Sequence, residues 1–150
     1  MNISNILSPD SIVVDIEASS KRELLEKIAA YGAKKSGLHE KEIFDALLQR
    51  ERLGTTGTGD GVAIPHSRFP NLNKIHGVFV RLSTPVDFES VDEKPVDLIF
   101  TLLAPESAGA DHLKALSQIA KVFKDEGAKT ELRQAKNGAG IQSVFAKAAN

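Results

Sequence analysis

The sequence contains four histidines, the side chains best suited to proton or group transfer near neutral pH. His66 has the most informative setting, because it follows a glycine-rich segment and then Val-Ala-Ile-Pro. Residues 62–64 predict a short buried strand that ends at Pro65, since proline has no N–H to offer a strand ladder. A side chain just past a strand end is held by the scaffold and stays open to solvent. We therefore predict that His66 is a reactive group.

His112 is the second candidate. Asp111 is predicted to cap the start of a helix, which places His112 in the first turn. The free N–H groups and partial positive charge at a helix start favour an anion such as phosphate and disfavour an imidazolium. A neutral His112 could attack phosphorus or donate one hydrogen bond. The sequence does not show that His66 and His112 meet, and each could instead be a hydrogen-bonded loop or cap histidine.

The other two histidines are interpreted as surface or capping residues. His39 lies at a predicted helix start, and His76 lies at the start of a predicted strand. Arg50 and Arg52, in the last turn of a predicted helix, are candidate anion partners, because the guanidinium fork matches phosphate oxygens. The alternative is that both arginines are solvated charges at a helix end, where cations are favoured.

Competing motifs fail on inspection. Half of the residues in 54–61 are glycine, which predicts a loop, since each glycine costs a helix about 1 kcal/mol relative to alanine. A phosphate-binding loop would need Lys-Ser/Thr where Asp60-Gly61 stands, and the dinucleotide pattern would need glycine at Val62. A zinc site from His66, His112 and either Asp60 or Asp111 stays open as a weak alternative.

The elements that must position these residues predict a mixed α/β fold. Strands are expected at 11–16, 62–64, 75–82 and 95–103, with a further short strand at 86–89 and the apolar 95–103 strand at the centre of the sheet. Helices are expected from a Ser20–Glu23 capping box to Gly37, over 40–52, from Asp111, and over 129–136 and 140–148. The apolar stripe of the third helix is predicted to be Leu113, Leu116, Ala120 and Phe123. We expect a single domain over 1–150, a sheet of about five strands flanked by helices.

Composition excludes several function classes. The chain has 150 residues, no cysteine and a formal net charge of −1, so disulfides and thiolate metal sites are ruled out and no nucleic-acid surface is implied. No apolar run approaches the roughly 20 residues that span a bilayer, and the N-terminus is a poor signal peptide. The cytoplasm is the expected location.

Residues 50–66, Arg-Glu-Arg-Leu-Gly-Thr-Thr-Gly-Thr-Gly-Asp-Gly-Val-Ala-Ile-Pro-His, closely resemble the active-site signature of enzyme IIA proteins of the bacterial phosphotransferase system, in the mannitol/fructose class. Residues 111–113, Asp-His-Leu, match the second histidine segment of that class, and the resemblance spans essentially the whole chain. Residues 53–59 and the stand-alone domain are most similar to the nitrogen-regulatory branch. Ser67 departs from the usual glycine and Asp60 from the usual asparagine or glutamate, which bears on the environment of His66.

The resemblance implies a mannitol/fructose-type enzyme IIA fold and specific roles. His66 would accept a phosphoryl group from a phosphohistidine on a small carrier protein of the nitrogen type. His112 would lie beside it and stabilise the transferring group, and Arg50 would neutralise phosphate charge. Phosphoryl transfer needs mainly positioning and electrostatic stabilisation, so we expect no metal or other cofactor.

Two functions remain open. The chain could regulate target proteins through its phosphorylation state, because a phosphoryl group adds roughly −1.5 to −2 charges to one surface patch. It could instead pass phosphate to an enzyme IIB of a fructose/mannitol-type permease. The resemblance favours the regulatory function, while the target, any onward acceptor and the oligomeric state stay open.

Overall fold

The computed structural model describes residues 3–148, which form a mixed sheet with helices on both faces. The helices are α1 (Lys21–Ser36), α2 (Glu40–Arg52), α3 (Ala110–Lys124), α4 (Glu126–Gln134) and α5 (Gly138–Ala148). The strands are β1 (Ile12–Ile16), β2 (Gly57–Gly59), β3 (Val62–Ala63), β4 (His66–Phe69), β5 (His76–Val86) and β6 (Val96–Pro105). Short 3₁₀ turns lie at Ile3–Asn5, Pro9–Ser11 and Glu106–Ala108.

Strand β6 is the centre of the sheet, as its nearly continuous apolar sequence predicted. The strand order is β1-β5-β6-β3-β2, with β4 also paired to β6. β5 runs antiparallel to β6, whereas β3 and β4 both run parallel to it, and β1 runs parallel to β5. The predicted α/β class is confirmed, and the sheet has six strands where about five were expected.

Side chains along β6 point alternately to the two faces of the sheet, and each face packs into a different hydrophobic core. Ile99 and Leu103 belong to the core that α1 and α2 cover, whereas Leu98, Phe100 and Leu102 belong to the core beneath α3, α4 and α5. In the second core the Phe145 ring meets the Phe100 ring edge-on, with centroids 5.2 Å apart. The two faces of β6 therefore meet different helices, which decides what a side chain beside this strand can touch.

The predicted signals mark both ends of α1, although only the Ser20 half of the predicted capping box forms. Ser20 Oγ accepts a hydrogen bond from the Glu23 N–H, and Gly37 adopts the left-handed φ of 82° at the C-terminal end. The Glu23 carboxylate accepts a hydrogen bond from Ser19 Oγ. The sequence therefore set both ends of this helix through local bonds.

Several predicted boundaries are wrong. Residues 54–61 are not wholly loop, because they contain β2, which pairs with β3. Strand β3 is shorter than predicted and covers only Val62–Ala63. The separate strand predicted at 86–89 does not form, because β5 runs on through Val86 and residues 87–89 lie outside any strand. Helices α4 and α5 begin earlier than expected, at Glu126 and Gly138. For α4 the missed signal is Asp125, whose carboxylate accepts from the Ala128 N–H as a cap.

Candidate functional site

His66 does not lie past a strand end, as the sequence predicted, but opens β4. Pro65 interrupts the edge beside β6 without ending it, because its carbonyl still accepts from the Leu102 N–H. The chain then resumes pairing, with His66 opposite Leu102. Leu102 belongs to the core beneath α3, so the His66 side chain lies on that face of the sheet. No local sequence pattern predicted this second strand segment.

The His66 ring is oriented by a backbone carbonyl. Its Nδ1 lies 2.8 Å from the Ile64 oxygen, and a carbonyl can only accept, so Nδ1 carries the proton. Burial lowers the pKa of His66 and the positive charge of Arg50 lowers it further, while the Ile64 hydrogen bond and Glu51 act in the opposite direction. The ring is therefore neutral near pH 7, with an unshared electron pair on Nε2.

The structure brings His112 against His66. The two ring centroids are 5.7 Å apart and the ring planes are inclined by 53°. Burial, with help from the charges of Arg68 and His66, lowers the pKa of His112 to about 4. His112 Nδ1 is buried and has no hydrogen-bond partner in the described structure. Because an orphaned N–H costs more than an orphaned acceptor, we assign the proton to Nε2.

Helix α3 meets the sheet through a face rotated from the predicted stripe: Phe123 is buried as expected, and Leu116 and Ala120 are partly buried. The buried residues are His112, Ala115, Ile119, Val122 and Phe123, whereas the expected stripe residue Leu113 is 64% exposed. Asp111 is not the N-cap either, since the helix begins at Ala110 and Gly109 holds the cap position with a φ of 53°. The buried face thus begins with a histidine, and apolar periodicity alone passes over it.

Arg50 lies at the end of α2, next to the site. Its Nη1 donates to the Gly54 carbonyl over 2.9 Å, which ties the arginine to the start of the glycine-rich segment. The charge of Arg50 acts on His66, as its effect on the histidine pKa indicates. Arg50 also lines an open depression of about 470 Å³ between α2 and β4. Arg52, the other candidate, is exposed.

Arg68 is a candidate that sequence reasoning missed. It follows His66 by two residues on β4, so both side chains lie on one face of the strand. The charge of Arg68 lowers the pKa of His112, and its Nη1 lies 3.5 Å from the Glu106 carbonyl. Strand alternation would have indicated Arg68 had β4 been recognised beyond Pro65.

The remaining sequence candidates have other settings. Asp60 sits at the turn between β2 and β3 with a φ of 57°, and its N–H donates to Asp92 over 3.0 Å. Ser67, on the other face of β4 from His66, lines the depression beside α2. Within residues 3–148 no three histidine, aspartate or glutamate side chains are grouped to hold a metal ion, so the zinc alternative finds no ligand set there. Among the same residues, no helix has the length and apolar character to cross a membrane.

Known proteins are similar to this chain in sequence and in fold. Residues 5–148 match the family described as "Phosphoenolpyruvate-dependent sugar phosphotransferase system, EIIA 2". A "Nitrogen regulatory protein" of Bradyrhizobium diazoefficiens is 49% identical over 146 residues, which cover 97% of this chain and 95% of that protein. A "PTS system fructose-specific EIIA component" of Haloferax volcanii is 30% identical, over 97% of this chain and 96% of that protein.

Solved structures agree with these relatives. The crystal structure of nitrogen regulatory protein IIA-Ntr from Neisseria meningitidis superposes with a TM-score of 0.92 at 38% identity, over 95% of this chain and 98% of that one. The crystal structure of IIA mannitol from Escherichia coli, at 22% identity and a TM-score of 0.79, shares the fold over 93% of this chain and 99% of that one. The match over nearly the whole chain, together with these relatives, shows that the chain belongs to the EIIA type 2 family of the phosphoenolpyruvate-dependent sugar phosphotransferase system.

Proposed function

We propose that this chain is a phosphohistidine carrier of the nitrogen-regulatory phosphotransferase system, working in the cytoplasm. His66 accepts a phosphoryl group from a nitrogen-type histidine phosphocarrier protein, and the phosphorylation state of His66 regulates target proteins. The observation that carries this proposal is the pairing of a neutral, oriented His66 with a neutral His112, their ring centroids 5.7 Å apart. The many relatives named nitrogen regulatory protein support the regulatory part.

The acceptor atom is His66 Nε2, because Nδ1 donates its proton to the Ile64 carbonyl. In the proposed step a bond forms between Nε2 and the phosphorus. The bond between the phosphorus and the donor's imidazole nitrogen breaks, and its electron pair returns to that nitrogen. The Nδ1 proton of His66 stays in place, so the transfer needs no proton acceptor at this ring.

His112 and Arg50 would stabilise the charge on the transferring group. With the proton on Nε2, His112 can donate a hydrogen bond to one phosphoryl oxygen, and the lowered pKa keeps it from competing as a second cation. Arg50 supplies positive charge from the end of α2, and its bond to the Gly54 carbonyl limits its movement. Such fixed donors act where charge is spread over the equatorial oxygens of the transition state.

Exposed apolar side chains beside the site would help the donor to dock. Leu53 lies just past the end of α2, three residues after Arg50, and is 85% exposed. Leu113 follows His112 and is 64% exposed. Exposed apolar surface rimmed by polar residues marks protein contact sites. A protein donor, rather than a small phosphorylated molecule, fits this open arrangement.

Labelling of the purified chain tests the proposed acceptor. Phosphorylated carrier protein is added in excess chelator, and the product is examined by intact mass and by ¹⁵N–³¹P NMR. We expect one acid-labile phosphoryl group on His66 Nε2. No labelling, or labelling at another residue, would overturn the assignment, and a strict magnesium requirement would contradict transfer by protein groups alone.

A second experiment separates regulation from transport. The alternative, an enzyme IIA that passes phosphate to an enzyme IIB of a fructose/mannitol-type permease, is favoured by the fructose-specific relative of similar length. A pull-down compares the phosphorylated chain with the His66→Ala variant. Capture of a protein that depends on phosphorylation, without loss of the label, supports the regulatory function. Rapid transfer of the label to an enzyme IIB supports the alternative.

A further inference from the structure

Glu51, in the last turn of α2, is a buried carboxylate although it lies between two exposed or half-exposed arginines. Its side chain is 3% exposed and its Oε1 lies 2.9 Å from Lys21 Nζ. The same oxygen accepts from the Thr56 N–H over 3.0 Å, and Oε2 accepts from the Thr56 hydroxyl. A buried carboxylate persists only when donors satisfy it, and here three donors do so.

Two further hydrogen bonds join this carboxylate to the reactive histidine. The Thr56 carbonyl accepts from the Ile64 N–H over 3.1 Å. The Ile64 carbonyl in turn lies 2.8 Å from His66 Nδ1. The path therefore runs from Glu51 through Thr56 and Ile64 to the ring, and each link fixes the backbone group that makes the next one.

Further contacts fix the residues around Glu51 and Thr56, at the start of this path. Lys21 Nζ lies 4.5 Å above the centroid of the Phe88 ring while it contacts Glu51. The Thr55 hydroxyl donates to the Phe88 carbonyl over 3.3 Å and accepts from the Gly57 N–H over 3.1 Å. A chain segment that is half glycine would otherwise have wide backbone freedom, so these bonds give Thr56 one position.

We propose that Glu51 is a positioning residue for phosphoryl transfer, acting through Thr56 and Ile64 to hold His66 with Nδ1 protonated and Nε2 free. This inference rests on the proposed function, because it concerns the same acceptor atom. Glu51 never touches the phosphoryl group. Its negative charge also favours the positive charge that develops on the ring as Nε2 binds phosphorus, and so offsets the opposing effect of Arg50.

The alternative is that Glu51 only stabilises the end of α2. The two roles differ in what they do to the His66 ring. A merely structural carboxylate would leave the ring's tautomer unchanged in any variant that still folds, although loss of its charge would still lower the pKa of His66. A positioning carboxylate would also change the tautomer when its contact with Thr56 is removed.

Three substitutions separate these roles. Glu51→Gln keeps the shape and removes the charge, and Thr56→Val removes the hydroxyl donor and keeps the charge. Thr56→Ser retains the hydroxyl and serves as the conservative variant. Glu40→Gln is the matched control, since Glu40 is an exposed carboxylate in the first turn of the same helix.

The first measurement uses unphosphorylated protein, so it does not depend on phosphoryl uptake. The ¹⁵N shifts of the His66 ring report the tautomer and their pH dependence reports the pKa. In Glu51→Gln and Thr56→Val we expect partial loss of the Nδ1–H form, and in Glu51→Gln a further fall in pKa. An unchanged tautomer in both variants, with native amide spectra, would overturn the proposal even if the pKa falls in Glu51→Gln.

The second measurement is the rate of labelling by the phosphorylated carrier. Loss of the partner that orients a metal-binding histidine lowers activity by about 10- to 100-fold, and His66 is oriented in the same way. We expect such a loss in kcat for Thr56→Val and Glu51→Gln, and near-native rates for Thr56→Ser and Glu40→Gln. Native rates in both Thr56→Val and Glu51→Gln would overturn the proposal. If the wild type itself takes no label, the proposed function fails while the tautomer measurement still tests the path.

Discussion

Two histidines flank the same end of β6, one on each face of the sheet. Only one of them has the surroundings that a phosphoryl acceptor needs. His66 pairs with Leu102 from β4, and His76 pairs with Leu103 from β5. Since consecutive residues of a strand face opposite ways, His66 faces α3 whereas His76 faces α1. Burial lowers the pKa of both rings, so both are neutral near pH 7.

What differs is the surroundings of the two rings. His66 is half-buried, has Nδ1 directed at the Ile64 carbonyl and faces a second neutral histidine. His76 is 6% exposed, and the charges that act on it come from Lys74 and Lys35. A lowered pKa therefore identifies a neutral histidine but not a nucleophile, which also needs an oriented electron pair, access to the donor and a facing hydrogen-bond donor.

Exchanging the two histidines for alanine gives the largest expected contrast. His66→Ala should abolish acid-labile phosphorylation by the carrier, because the nucleophile is gone. His76→Ala should be labelled at a near-native rate, because His76 faces α1, on the opposite face of the sheet from His66. Labelling is followed by intact mass. Equal labelling of the two variants would show that His66 is not the acceptor and would contradict the distinction between the two histidines.

Removing the facing histidine should have the next largest effect. His112→Ala should slow labelling by about 10²-fold, the usual loss when one donor to a transition-state oxygen is removed. The label should remain on His66, which peptide mapping of the acid-labile product would check. An unchanged rate would remove His112 from the mechanism and leave orientation by Ile64 as the main difference between His66 and His76.

Arg50 should matter less than His112. Arg50→Ala should slow labelling by roughly tenfold, since a hydrogen bond to a charged group contributes about 1.5–3 kcal/mol. The loss should lie at the low end of this range, because one Arg50 N–H group is already bonded to the Gly54 carbonyl. Arg52→Ala, an exposed arginine two residues later, is the matched control and should label normally. Similar losses in both variants would point to general attraction of the donor by positive charge.

The smallest expected effect is on stability in acid. The pKa of His112 falls from 6.5 to about 4 on folding, so the unfolded chain binds more protons between these pH values. Folding stability should therefore be complete above pH 6.5 and decline as pH falls, by up to about 1.4 kcal/mol per pH unit from this residue. Urea unfolding at several pH values should show a shallower decline in His112→Gln. An identical decline would show that His112 is not held neutral by its burial.

Local sequence determined much of the fold and indicated His66 as the candidate acceptor. Ser20 and Gly37 mark the ends of α1 through bonds within a few residues, and the continuous apolar run of β6 indicated a central strand. These signals could be read because a cap, a turn or a buried strand leaves its mark on neighbouring residues. The resemblance of residues 50–66 to a known family added the expected role of His66 and Arg50.

Tertiary structure decided the rest, because packing between distant segments leaves little mark on local sequence. Apolar periodicity placed Leu113 in the core, yet α3 rests on the sheet through His112, since the buried face is chosen by the surface it meets. Strand β4 resumes after Pro65 only because β6 offers a free edge there. The sequence by itself indicated His66 as the candidate acceptor. The fold alone decided that His112 faces it, that Arg68 shares its strand, and that Glu51 is joined to it through Thr56 and Ile64.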